Sequence, residues 1–226
     1  MGDLQDLSVD IQSYAKFKVP PKTEFTPCKD CGREFTFMHL SKNLCVDCHR
    51  ARTISWEAKE ATDQLIPKFY QWSTIDSSLL QQRVAGGELI IRRMIASIDA
   101  PMLLFVGPSG AGKTSLAIAG ARRASVLSKE RSTFMMASEL AVSRKLTKYG
   151  HEAEEVYEAK TTPLLLLDEL NPTQVNSPVD EVVFKRHAEG MKTWITTWMS
   201  KQQIKDIYGE GFARRICEHS IIIKCG

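Results

Sequence analysis

The chain has 226 residues, 43% hydrophobic and 25% charged, which fits one ordinary globular domain plus a smaller module and excludes two large enzymatic domains. With 30 Lys+Arg against 27 Asp+Glu the formal charge is +3, too little for net charge alone to drive nucleic-acid binding, so any such contact must be local. The longest apolar runs, Met102 to Val106 and Leu164 to Leu167, fall far short of the ~20 residues of a transmembrane helix. The start Met1-Gly2-Asp3-Leu4-Gln5-Asp6 lacks the basic and apolar regions of a signal peptide. No membrane contact and a cytoplasmic location are therefore expected.

A polar entry runs to about Phe25, with Pro20-Pro21 breaking any incoming helix. Next come two CxxC knuckles, Cys28/Cys31 and Cys45/Cys48. In a reducing compartment this doubled pattern points to a structural Zn²⁺ in a tetrahedron of thiolates rather than to disulfides. Cys217 and Cys225 stand apart and are expected to be buried small hydrophobes. The predicted organisation is a zinc-binding module over 1–52, a helical connector over 53–75 and an α/β domain over 76–226. The connector helix is expected to begin near Ser55 and to stop at Pro67.

Beyond Leu79 helices and strands alternate. A helix through Leu89 to Ile95 precedes a strand at Met102 to Val106, a helix from Gly112 to about Leu127 and a strand at Thr133 to Met136. Ser138 is expected to cap a helix ending near Gly150, and a Glu-rich helix over Glu152 to Lys160 leads to the strand Leu164 to Leu167. That strand lacks polar alternation, as a strand covered on both faces must. A helix from Val179 to about Ala188, a strand at Thr193 to Thr197, a helix opened by Ser200 and Gln203, and a strand at Ile221 to Ile223 complete the chain. Five strands with intervening helices predict a three-layer α/β fold on a parallel sheet.

Between the first of these strands and its helix stands Gly107-Pro108-Ser109-Gly110-Ala111-Gly112-Lys113-Thr114, the phosphate loop of a P-loop NTPase. Its glycines let backbone N–H groups converge on phosphate oxygens, Lys113 reaches the β and γ phosphates of ATP, and Thr114 offers a hydroxyl to Mg²⁺. Asp168 and Glu169 follow four leucines: Asp168 is expected to hold Mg²⁺, and Glu169 to polarise the attacking water. Thr197, at the end of the next strand, is a candidate contact to water or γ-phosphate, or a threonine chosen for β-propensity. Arg144, Lys145, Lys148 and Tyr149 form a small basic and aromatic cluster, of the kind that binds single-stranded DNA or merely caps a helix end. Adenine contacts are expected near Tyr70 to Leu80.

Over about 75–226 these motifs resemble the AAA+ ATPases of the DnaC-type helicase-loader group, bacterial or phage, and the related IstB-like transposition ATPases. The residues that carry the likeness are the phosphate loop, Ser132 to Leu140, Asp168-Glu169, and the closing Tyr208-Gly209-Glu210-Gly211-Phe212-Ala213-Arg214-Arg215-Ile216. The resemblance implies an arginine finger at Arg215, next to Arg214, reaching the ATP of an adjacent subunit, so that hydrolysis requires self-association. It also implies a replicative helicase hexamer and single-stranded DNA as partners, or a transposase and duplex DNA in the IstB-like alternative. The chain departs from the family in placing Trp198 where Asn is common, which bears on the sensor role of Thr197. No helical lid follows the last strand at Lys224-Cys225-Gly226, which is compatible with the loader group and argues against AAA+ members that use a lid arginine. The cysteine module is similar to small bacterial zinc ribbons. Its place suggests recruitment of the helicase, although Arg33, His39, Lys42, His49, Arg50 and Arg52 equally suit a nucleic-acid contact.

Overall fold

The computed structural model describes residues 25–36, 43–146 and 151–226. His39, Lys42, Lys148, Tyr149 and the predicted helix end at Gly150 lie outside them. The chain divides into two compact units between Arg52 and Thr53.

The first unit holds a short antiparallel hairpin, β1 (Phe25–Pro27) and β2 (Glu34–Thr36), and the start of helix α1 (Val46–Gln64). The connector helix thus begins at Val46 rather than near Ser55. Gly32, at φ 71°, closes the knuckle between the strands and its N–H donates to the Cys28 carbonyl at 2.9 Å.

The second unit is a three-layer α/β domain on a five-stranded, all-parallel sheet. The strands are β3 (Met102–Val106), β4 (Ser132–Met136), β5 (Leu164–Leu170), β6 (Lys192–Thr197) and β7 (Ile221–Lys224), ordered β4-β5-β6-β3-β7. Alternation within each strand explains the unbroken apolar runs, because both faces are covered. Met102, Leu104, Leu165 and Leu167 face one side, packed with Leu140, Val156, Val182 and Phe212. Leu103, Phe105, Leu164, Leu166 and Trp194 face the other, against Leu80, Met94, Leu116 and Ile118. The helices are α2 (Ser78–Arg83), α3 (Gly87–Ala96), α4 (Lys113–Ser128), α5 (Ala137–Ser143), α6 (Glu154–Thr161), α7 (Pro178–Ala188), α8 (Lys201–Tyr208) and α9 (Glu210–Ala213). A π turn over Arg214–Glu218 follows α9.

One further expectation needs correction. Ser138 is not a cap: α5 starts at Ala137 straight from β4, and among the described residues it continues into a 3-10 turn at Arg144–Leu146. The Ser200–Gln203 capping box is present as read. Cys217 and Cys225 are buried.

Two buried arginines organise the second unit. Arg122 of α4 donates from Nε to Asp63 Oδ1 at 2.6 Å, from Nη1 to the carbonyls of Gln71 and Ser73, and from Nη2 to Gln71 Oε1. It thereby ties the segment after α1 onto the domain. Arg186 of α7, wholly buried, donates to Thr193 Oγ1 and to the carbonyls of Ala159, Thr162 and Lys192. These acceptors cluster at the starts of β5 and β6, the sheet edge opposite the phosphate loop. Burial lowers the guanidinium to about 10.

Candidate nucleotide and metal sites

The phosphate loop links β3 to α4, and its backbone is shaped by neighbouring chain. A Cβ on Gly107 would lie 1.9 Å from the Cys225 carbonyl oxygen, so only glycine lets β7 pass beside the loop. Gly112, at φ 82°, would bring a Cβ to 2.8 Å from the Arg83 carbonyl. Lys113 Nζ donates to the carbonyls of Gly107 at 2.8 Å and Pro108 at 2.7 Å. Two of its three N–H donors thus hold the ammonium beneath the loop, and the third is the one for a phosphate oxygen. Burial lowers the Lys113 ammonium, and a phosphate would restore it.

Because β6 lies between β3 and β5, the loop and Asp168 stand two strands apart and meet through hydroxyls. Thr114 Oγ1 donates to Asp168 Oδ1 at 2.8 Å, and Thr196 Oγ1 donates to the same oxygen at 2.6 Å. Burial raises the Asp168 carboxyl, with these two hydroxyls pulling the other way. The donor set fits Mg²⁺, a hard cation that takes oxygen ligands. Both hydroxyls use Oδ1, which leaves Oδ2 for the cation or its waters.

Glu169 is exposed and sits at φ 61°, in the left-handed region that side chains other than glycine rarely adopt. The pairing of β5 with β6 jumps here, Leu167 opposing Ile195 and Leu170 opposing Thr197, so that one extra residue bulges from β5. The bulge turns Glu169 out of the sheet instead of leaving it in the pleat. Its N–H donates to Thr196 Oγ1 at 2.9 Å, and its carbonyl accepts from Asn171 Nδ2 and Gln174 Nε2. Strain of this kind collects at functional sites, where surrounding structure holds it.

Thr197 is placed differently from Thr196. Its hydroxyl donates to the Leu170 carbonyl at 2.7 Å and accepts the Met199 N–H at 3.1 Å, and the residue is 1% exposed. The hydroxyl that meets Asp168 is that of Thr196, which the sequence reading passed over. A Thr-Thr doublet was its only signal, and strand alternation allows either member to face the site.

The phosphate loop, Asp168, Glu169, Thr196, Thr197 and Trp198 line one cleft of about 470 Å³. Phe69, Tyr70 and Arg83 complete its wall; Arg83 stacks on Trp72 at 4.8 Å. Burial, and then the Asp168 carboxylate, push the Tyr70 phenol up, while its contact with Thr114 acts the other way. Of the stretch expected to touch adenine, only Tyr70 lies in the cleft wall. Arg215 is not in this wall. Its guanidinium lies 4.5 Å over the Phe184 ring and donates to the Gly211 carbonyl, and Arg214 is exposed. Arg144 is ion-paired with Glu181, which also holds Lys160.

In the first unit Cys28, Cys31, Cys45 and Cys48 bring four sulfurs within 4.8 Å of one another. Cys31 and Cys45 Sγ are 3.7 Å apart, far beyond a disulfide and close to the ~3.8 Å edge of a tetrahedron built on 2.3 Å zinc–sulfur bonds. Backbone N–H groups, that of Cys45 foremost, hold the Cys28 thiol down at about 6. Neighbouring sulfurs push Cys48 up. Arg52 pairs with Asp30 beside the cluster and lowers its carboxyl. The four cysteines are thus compatible with a zinc ribbon.

Fold and cleft together define a parallel α/β core whose phosphate loop and carboxylate pair share one cleft, and a four-cysteine cluster precedes it in the chain. No protein-family model matches the chain, and no curated protein does. Solved structures do. The DnaC helicase loader matches with a TM-score of 0.58 at 22% identity, over 71% of this chain and 100% of that one. A putative primosome component from Streptococcus pyogenes serotype M3 matches with a TM-score of 0.59 at 16% identity, over 74% of this chain and 95% of that one. AMPPCP-bound DnaA from Aquifex aeolicus matches with a TM-score of 0.55 at 18% identity, over 71% of this chain and 51% of that one. At these identities the likeness carries the fold. Among the described residues no helix is long and apolar enough to cross a membrane.

Proposed function

We propose that the protein is an ATP-dependent helicase loader, which hydrolyses ATP as one subunit of an assembly and delivers a replicative helicase hexamer to single-stranded DNA. The observation that carries this reading is the junction of Lys113, Thr114, Asp168 and Glu169 in one cleft, on a core that spans the whole length of a solved helicase loader.

The residues divide the work by their geometry. Loop amides and the third N–H of Lys113 bind the β and γ phosphates. Thr114 and Asp168 would hold Mg²⁺, whose charge offsets that of the phosphates when it is bound. Glu169, turned outward by its bulge, orients a water and takes up its proton as the water attacks the γ-phosphorus in line with the leaving oxygen. Arg215, outside its own cleft wall, stabilises the charge on the transferred phosphoryl group of a neighbouring subunit. The four cysteines hold Zn²⁺, and the ribbon they fold recruits the helicase.

The test is co-purification with the replicative helicase of the same cell, with and without ATP, followed by ATP turnover with single-stranded DNA added. A complex and stimulated turnover are expected. Absence of any complex overturns the loader reading, and filaments on duplex DNA or a complex with a transposase would select the IstB-like alternative.

A further inference from the structure

Asn171, two residues beyond Glu169, links two parts of the second unit that the reaction uses separately. Its side chain donates from Nδ2 to the Glu169 carbonyl at 3.3 Å, and Gln174, bonded in a capping box to Asn171, donates to the same carbonyl at 3.2 Å. The left-handed backbone of Glu169 is therefore held by this short loop. The loop in turn is latched to α8 through the Asn171 carbonyl, which accepts the hydroxyl of Tyr208.

The ring of Tyr208 is stacked on Phe212, with centroids 4.5 Å apart and planes at 19°. Phe212 meets Phe184 edge to face at 5.9 Å, and Phe184 carries the Arg215 guanidinium at 4.5 Å. One aromatic cluster thus has the Glu169 loop at one end and Arg215 at the other. Arg215 also stands in the π turn Arg214–Glu218. A π turn is a less stable bonding register than the α-helix and converts to it by a shift of one residue, which would swing the guanidinium.

We propose that Tyr208 is a positioning residue that couples the placement of Glu169 in a subunit's own cleft to the placement of Arg215, which serves the neighbour. This rests on the assembly-dependent ATPase reading above. A change in the Glu169 loop on nucleotide binding moves the Asn171 carbonyl, pulls on the Tyr208 hydroxyl and tilts the stack that supports the π turn. The bistable element is the π turn, and the two ends bias it together.

The test uses the full chain and Tyr208→Phe, which keeps the stacked ring and removes only the latch. Phe184→Leu, at a half-exposed position, breaks the other end and guards against a folding artefact of the first. Each is expected to lower kcat about 10-fold or more while the ATP affinity stays within about twofold, since positioning and not binding is lost. On an Arg215→Ala background Tyr208→Phe should cost nothing further, because the two act through one element. A second readout needs no hydrolysis: AMPPCP should change amide hydrogen exchange over 209–218 in the wild type and not in Tyr208→Phe. A purely structural role would lower thermal stability and leave that response intact. Wild-type kcat in Tyr208→Phe, losses that multiply with Arg215→Ala, or the same or no exchange response in both proteins overturns the coupling. A wild type without ATP turnover under any condition would instead overturn the ATPase reading, while the exchange comparison still judges the coupling.

Discussion

Thr114 Oγ1 donates to Asp168 Oδ1 across 2.8 Å and so joins the first turn of α4 to the end of β5 over a sequence separation of 54 residues. The bond steadies a buried carboxylate where a divalent cation is expected, and offsets part of what its burial costs the folded state. Burial holds the Asp168 carboxyl above its ordinary value, so the folded protein binds that proton more tightly than the unfolded chain. The contribution to stability is therefore full below the ordinary carboxylate value and is lost as pH rises through the raised one.

Asp168→Asn keeps an acceptor for both hydroxyls and removes the charge. Thermal unfolding at pH 7 without nucleotide should shift upward by about 2–4 °C, the shift that ~1 kcal/mol makes in a domain of this size. Mg²⁺-dependent ATP binding should be lost in the same protein. A lower unfolding midpoint, or unchanged Mg²⁺ dependence in a titration with a fluorescent ATP analogue, would contradict the assignment.

At Glu169 two substitutions separate chemistry from strain. Glu169→Gln should retain ATP and stop turnover, whereas Glu169→Gly should stop turnover and stabilise the protein by about 1 kcal/mol, because glycine adopts the left-handed backbone freely. Equal turnover in Glu169→Gln and wild type, measured as phosphate release, would remove Glu169 from the mechanism.

Lys113→Ala should abolish nucleotide binding. In the wild type the ammonium is lowered by burial, and only its charged form serves the phosphates. ATP affinity should accordingly be steady at neutral pH and fall as pH rises through the lowered value, earlier than an ordinary lysine would require. Calorimetric titrations across the alkaline range check the direction.

Arg122 predicts an effect at a distance. Removing it leaves Asp63 with Lys59 alone and takes the Arg122 donor from the carbonyls of Gln71 and Ser73, a loss of about 3 kcal/mol for a broken, largely buried pair. The same change frees the segment that carries Phe69 and Tyr70 into the cleft, so Arg122→Ala should also weaken ATP binding, while the phosphate loop itself is unaltered. Denaturant unfolding and ATP titration on one preparation read both.

Metal analysis of protein purified without chelator should give about one zinc per chain, and Cys28→Ser should lose it. Retention of zinc by Cys28→Ser would show that the four sulfurs do not act as one site.

Much of the domain is legible because its strands are covered on both faces. Met102 to Val106 and Leu164 to Leu167 are unmistakable runs, and the glycine-lysine loop between a strand and a helix leaves little choice of role. What sequence did not yield are features fixed by tertiary contact. The outward turn of Glu169 depends on a bulge set by pairing with β6, and nothing in Leu-Asp-Glu-Leu announces it. The same pairing decides that Thr196 rather than Thr197 faces Asp168. The short α2 carries a helix period for too few residues to be recognised, and α1 starts early because Cys48 lies in its first turn, hidden within a motif read for its metal.

The buried guanidinium of Arg186 has a mechanical meaning. It rivets the starts of β5 and β6 to the ends of α6 and the base of α7, all at the edge of the sheet remote from the cleft. Water cannot replace those bonds one at a time without stranding a charge, so that margin opens as a unit or stays shut. The opposite margin, with its glycines and its bulge, has no such rivet among the described residues. The domain is thus built like a fan, pinned at the handle, with its compliance kept at the rim where a nucleotide would sit.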